Sequence, residues 1–100
     1  MKTTIQEQDG NMVAILEGRL DTAAAVETEK AMNPLNDVEG KDIIIDCTAL
    51  EYISSAGLRV LMTAQKSMIA CGGKMSVANP NATVRDVFDI TGLSSVFTIV

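Results

Sequence analysis

Two adjacent serines, Ser54 and Ser55, stand in "YISSAGLRVL" at residues 52–61, just before a run with helical apolar spacing. Nucleophilic hydrolysis by either one requires a base within hydrogen-bond reach, usually histidine, and a G-x-S-x-G elbow. The chain contains no histidine, reads I-S-S-A-G around the pair, and has no S-x-x-K from either serine. A nucleotide site fares no better. The Gly-Lys of "CGGKMS" lacks the upstream glycine of a phosphate-binding loop, and Met75 stands where a hydroxyl should ligate magnesium. That segment also ends a helical pattern, so it offers no free amides to a phosphate. Cys47 and Cys71 have no CxxC spacing, and no histidine completes a zinc set, so both read as buried or partly buried free thiols.

Two readings of the serines remain. One hydroxyl can cap the following helix by accepting from the amide of Gly57 or Leu58. Alternatively, a serine here can receive a phosphate from another protein. The modification adds about −1.5 to −2 charges and three acceptor oxygens, which the free amides and positive dipole end of a helix N-terminus tolerate. Ala56 and Gly57 are small, which lets a foreign active site approach. The local pattern leaves both readings open.

The elements that position these residues are read from periodicity. "TTIQEQ" and "NMVAILEG" flank Asp9-Gly10-Asn11, a β-hairpin signal, with Gly18 and Arg19 closing the second strand. "LDTAAAVETEKAMNPLNDVEG" turns helical, with Asp21 or Thr22 as N-cap and Ala25, Met32 and Leu35 on one side. Pro34 should kink or tighten this helix before it ends near Gly40. "DIIIDC" at 42–47 reads as an interior strand covered on both faces, followed by a loop. "SAGLRVLMTAQKSMIACGG" is helical, with Leu58, Leu61, Met62, Met68 and Ile69 as its core-facing stripe and Gly72-Gly73 as its stop. "KMSVAN" forms another strand, "NATVRDVFDITG" a short helix capped by Asn81, and "VFTIV" a last short strand or packed tail. A hairpin followed by βαβ units gives an α/β fold: a mixed four- to five-stranded sheet with helices mainly on one face and right-handed crossovers.

At 100 residues this is one small domain spanning 1–100, and its 47% apolar and 21% charged content excludes a disordered chain. The net charge of −5 and three aromatic residues argue against nucleic acid, which needs a basic face and stacking platforms. No stretch approaches the roughly 20 apolar residues that span a bilayer. The polar start "MKTTIQEQDG" carries no secretory signal, so a cytoplasmic location is expected.

Three segments, in order and at similar spacing, resemble the anti-sigma factor antagonists of the STAS superfamily. "GRLDTAAA" resembles the family's Gly-Glu-Leu-Asp segment, "IIIDCTALEYISSAGLRVL" its strand, loop and phosphorylation-site helix, and "VRDVFDITGLSSVFTI" its C-terminal signature. Matching Gly57-Leu58 to the family's Gly-Leu puts Ser55 on the phosphorylated serine. Ser54 then falls where many members have aspartate, Ala56 where they have Ser or Thr, and Arg19 where glutamate is frequent. The resemblance implies a STAS-like fold and a partner switch with no cofactor, no metal and no catalysis of its own. The unphosphorylated antagonist binds an anti-sigma factor that is also a GHKL-type serine kinase. Phosphorylation of Ser55 releases it, and a metal-dependent serine phosphatase resets it. The implied partner-binding residues are Asp21, Thr22, Ser54, Ser55, Ala56, Gly57 and Arg59. The competing expectation is a STAS module that is not phosphorylated and serves as a scaffold or a regulatory subunit of a transporter or signalling complex.

Overall fold

The computed structural model describes residues 1–32, 42–70 and 72–100. Along the chain run β1 (Lys2–Gln8), β2 (Asn11–Leu20), α1 (Thr22–Met32), β3 (Ile43–Ile53), α2 (Ser55–Ala70), β4 (Met75–Ala78), α3 (Ala82–Thr91) and β5 (Thr98–Ile99). The five strands form one sheet in the order β1-β2-β3-β4-β5. β1 is antiparallel to β2, and every other neighbouring pair is parallel. This is the expected mixed sheet, and its hairpin turns where expected. Asp9 and Gly10 both take positive φ, 51° and 82°, in the two-residue turn that joins the paired Gln8 and Asn11.

Two strands outrun the lengths read from the sequence. β2 continues one residue past Arg19 to Leu20, and β3 continues past Cys47 to Ile53, where a loop was expected. The cause is irregular pairing: the β2–β3 register shifts between Ile15 and Glu17 and again between Gly18 and Arg19. Gly18, at φ 101°, absorbs the second shift. Each shift moves side chains across the sheet, so beyond Cys47 the buried residues of β3 are Leu50 and Ile53, three apart instead of two.

β3 is third of five strands, interior as expected, but it is not covered on both faces. Ile43, Ile45 and Cys47 are buried while Ile44 and Asp46 stay half-exposed, so helices close one side only. On that side one contiguous cluster joins Leu16 and Leu20 of β2, Ile45 and Leu50 of β3, Leu61 and Met68 of α2, and Val84 and Phe88 of α3. Phe97, just after a 3-10 turn at Leu93–Ser95 that the sequence did not announce, closes its edge, its ring 5.4 Å from that of Phe88 and edge-on. Asn81 caps α3 by accepting from the Val84 amide at 2.8 Å, and its side-chain amide donates to the Leu50 carbonyl at 3.0 Å.

In α2 the inward line is Gly57, Leu58, Val60, Leu61, Ala64 and Met68. Met62 and Ile69 are 37% and 68% exposed, against the expectation of a core role. Seven apart, they follow a line of their own at the flank of the helix, where with Val96 and Phe97 they border a shallow apolar hollow. In α1, Ala25 and Met32 face the core as expected, together with Thr28. Leu35, the kink at Pro34, the helix end near Gly40 and the state of Cys71 lie outside the described residues. Cys47 is fully buried, and desolvation, helped by the charge of Asp46, pushes its thiol from an ordinary 9.0 to about 12.

Candidate functional site

β2 and β3 are parallel, so Leu20 and Ile53, paired across the two strands, bring both carboxyl ends to one place. α1 and α2 both start there, and open α/β sheets collect function at that end. Asp21 caps α1: its Oδ1 accepts from the Ala24 amide at 2.9 Å. Ser54 caps α2: its Oγ accepts from the Gly57 amide at 3.2 Å. The Ser54 amide in turn donates to the Leu20 carbonyl at 2.8 Å, tying the start of one helix to the strand that leads into the other.

Gly57 makes that tie tight. A Cβ added there would lie 2.6 Å from Leu20 Cγ and 2.9 Å from both Ile53 Cγ1 and the Leu20 carbonyl oxygen. The glycine is buried, so its smallness serves the close approach of α2 to β2 beneath the surface.

The two serines therefore divide their labour. Ser54 is half-buried and engaged in capping. Ser55, the first residue of α2, is exposed, and its hydroxyl makes no hydrogen bond among the described residues. The structure places Asp21, half-buried, and Thr22, exposed, at the start of α1, and Ala56, half-buried, and Arg59, exposed one turn along, in α2. Between the helices runs a groove of about 230 Å³ bordered by Thr22, Val26, Glu29, Ala56, Arg59 and Thr63.

Arg19 adds a feature the sequence reading missed. Its guanidinium carbon lies 4.7 Å from the centroid of the Tyr52 ring, its partner in the β2–β3 register. The signal existed in the side chains, but the register shifts hid the pairing. Among the described residues no group of three or more His, Cys, Asp or Glu could hold a metal, and no helix is long and apolar enough to cross a membrane.

This geometry has relatives. The family model for the STAS domain matches residues 2–100. BtrV of Bordetella bronchiseptica, assigned as an anti-sigma factor antagonist, is 33% identical over 99% of this chain and 85% of its own length. The anti-sigma-B factor antagonist of Listeria monocytogenes is 29% identical over 95% of this chain and 84% of that protein. A crystal structure from Thermotoga maritima, also assigned as an anti-sigma factor antagonist, superposes with a TM-score of 0.84 at 27% identity, covering 97% of this chain and 84% of that one. The chain belongs to the STAS domain family, among the anti-sigma factor antagonists.

Proposed function

We propose that this domain is a cytoplasmic partner switch controlled at Ser55. Unphosphorylated, it docks on an anti-sigma factor that is also a GHKL-type serine kinase, through the surface of Asp21, Thr22, Ser54, Ser55, Ala56 and Arg59 with Gly57 beneath. The kinase transfers the γ-phosphoryl group of ATP to Ser55 Oγ. The phosphorus–oxygen bond to the β-phosphate breaks, a new one to Oγ forms, the hydroxyl proton passes to a kinase carboxylate, and ADP leaves. A metal-dependent phosphatase returns the hydroxyl with water as the acceptor. The chemistry belongs to the partners, and this chain is ligand and substrate.

The observation that carries the reading is the division between the serines: Ser54 holds the helix, and Ser55 is exposed with a hydroxyl that no described residue engages. A phosphate on Ser55 leaves the cap untouched while changing the sign of the surface. An uncompensated charge buried at an interface costs about 3–5 kcal/mol, or roughly 10²–10⁴ in affinity, enough for an on/off device. The acidic Asp21 beside the site adds like-charge repulsion.

The test is incubation with the cognate kinase and ATP followed by mapping of the phosphate by mass spectrometry. The label is expected on Ser55 and lost in Ser55→Ala. A label on Ser54 or a threonine that persists in Ser55→Ala refutes the assignment.

A further inference from the structure

We infer that a phosphate on Ser55 is held by Arg59 of the same helix, so that modification draws a cation away from the α1–α2 groove as it adds an anion beside it. This inference rests on Ser55 being the acceptor. Ser55 and Arg59 lie four apart in α2, on one helical face, with Cβ atoms about 5–6 Å from each other. Every Cα–Cβ bond in a helix tilts toward its N-terminus, so the Arg59 side chain leans toward Ser55 of its own accord.

The guanidinium is also uncommitted. Arg59 is exposed and enters no ion pair among the described residues. The other charged side chains at this end of the sheet are occupied or of the wrong sign. Arg19 lies over Tyr52, Asp21 caps α1 and repels a phosphate, and Glu29, across the groove from Arg59, is an anion. Of the first-turn amides of α2, that of Gly57 is taken by Ser54. A planar guanidinium can meet two phosphate oxygens at once, which a point charge cannot.

The consequence reaches the groove. Before modification its walls carry opposite charges, Arg59 on α2 and Glu29 on α1. Afterwards Arg59 is turned to the phosphate and only the acidic wall is left. A partner surface that presents a carboxylate to Arg59 loses that contact in the same event that brings it a dianion.

The experiment needs no kinase. Phosphoserine is installed at position 55 by ligation or during translation, and its second ionisation, ordinarily near pH 6, is followed by ³¹P NMR. In the parent chain the midpoint is expected about 0.5 pH unit below that of Arg59→Gln, with Arg59→Lys in between. The Arg59 Nε–H resonance should shift with the same midpoint. Arg59 is exposed, so the variants keep the fold, which the same ¹⁵N spectra verify. Equal midpoints in the parent and Arg59→Gln, or an Nε–H resonance indifferent to the phosphate, overturn the inference. A shifted midpoint without kinase labelling of Ser55 overturns instead the assignment of Ser55 as the natural acceptor.

Discussion

Truncating the two serines one at a time separates the capping hydroxyl from the proposed acceptor. Ser54 Oγ holds the Gly57 amide at 3.2 Å, and Gly57 is buried against Leu20 and Ile53. Removing a capping hydroxyl typically costs about 1 kcal/mol. Here water has little access to the orphaned amide, so the cost moves toward the unsatisfied-donor range, about 1–2 kcal/mol. A domain of this size loses about 4–8 °C of Tm per kcal/mol, so Ser54→Ala should melt roughly 5–15 °C lower. Ser55→Ala removes an exposed hydroxyl with no partner among the described residues and should stay within about 0.5 kcal/mol of the parent.

Ser54→Asp sharpens the comparison, because aspartate caps as well as serine and should restore most of the lost stability. Thermal unfolding followed by circular dichroism at 222 nm measures all three. If Ser55→Ala melts as low as Ser54→Ala, or if Ser54→Ala melts like the parent, the division of roles is wrong.

Gly57→Ala gains up to about 1 kcal/mol of helix propensity but drives a methyl into the Leu20 carbonyl, which cannot swing aside; a net loss of about 1–2 kcal/mol in urea unfolding is expected. Thr28 is fully buried with a hydroxyl that finds no partner among the described residues, so Thr28→Val should raise stability by about 1 kcal/mol, read as a higher urea midpoint. Cys47 keeps its proton to about pH 12 in the folded state, whereas the unfolded thiol ionises from about 9.0. Between those values the unfolded chain binds fewer protons, so stability falls as pH rises, by up to about 1.4 kcal/mol per pH unit. Urea unfolding at pH 8, 9 and 10 should show a shallower alkaline decline in Cys47→Ala.

What the sequence announced and what it withheld follow one physical division. Signals carried by a single residue in a local backbone state were legible: the Asp9-Gly10 turn, the Asn81 cap, the cap before Gly57, and the stop at Gly72-Gly73. Signals that depend on a neighbour far along the chain were not. The extension of β3 to Ile53 needs the register shifts of β2, and the Arg19–Tyr52 contact needs both strands in place. The stripe on α2 was misread for the same reason. Seven-residue spacing links Met62 to Ile69 as well as Leu61 to Met68, and only the line passing through the small Gly57 and Ala64 can approach the sheet. At the candidate site the serine pair stood out at once, while the role of Gly57 as a point of close approach required the position of Leu20.

The frequent aspartate of this family at position 54 gains a physical meaning from this arrangement. Serine and aspartate are both strong N-caps, so the replacement keeps the start of α2 closed while removing a negative charge next to the Ser55 hydroxyl. Arg19 in place of glutamate changes the charge balance in the same direction, from acidic to basic, on the adjoining strand end. Together the two replacements leave Asp21 as the acidic residue at the junction of β2 and α1, with Arg59 one turn beyond Ser55 on α2. If Ser55 is the acceptor, as proposed, the added anion enters a less acidic neighbourhood than the usual family pattern provides. On the proposed switch, repulsion of a partner comes from the phosphate and from the inferred loss of Arg59 to it, more than from carboxylates already in place. Restoring the family's charges with Ser54→Asp and Arg19→Glu should thus weaken docking before any phosphate is added, while the cap and the fold hold.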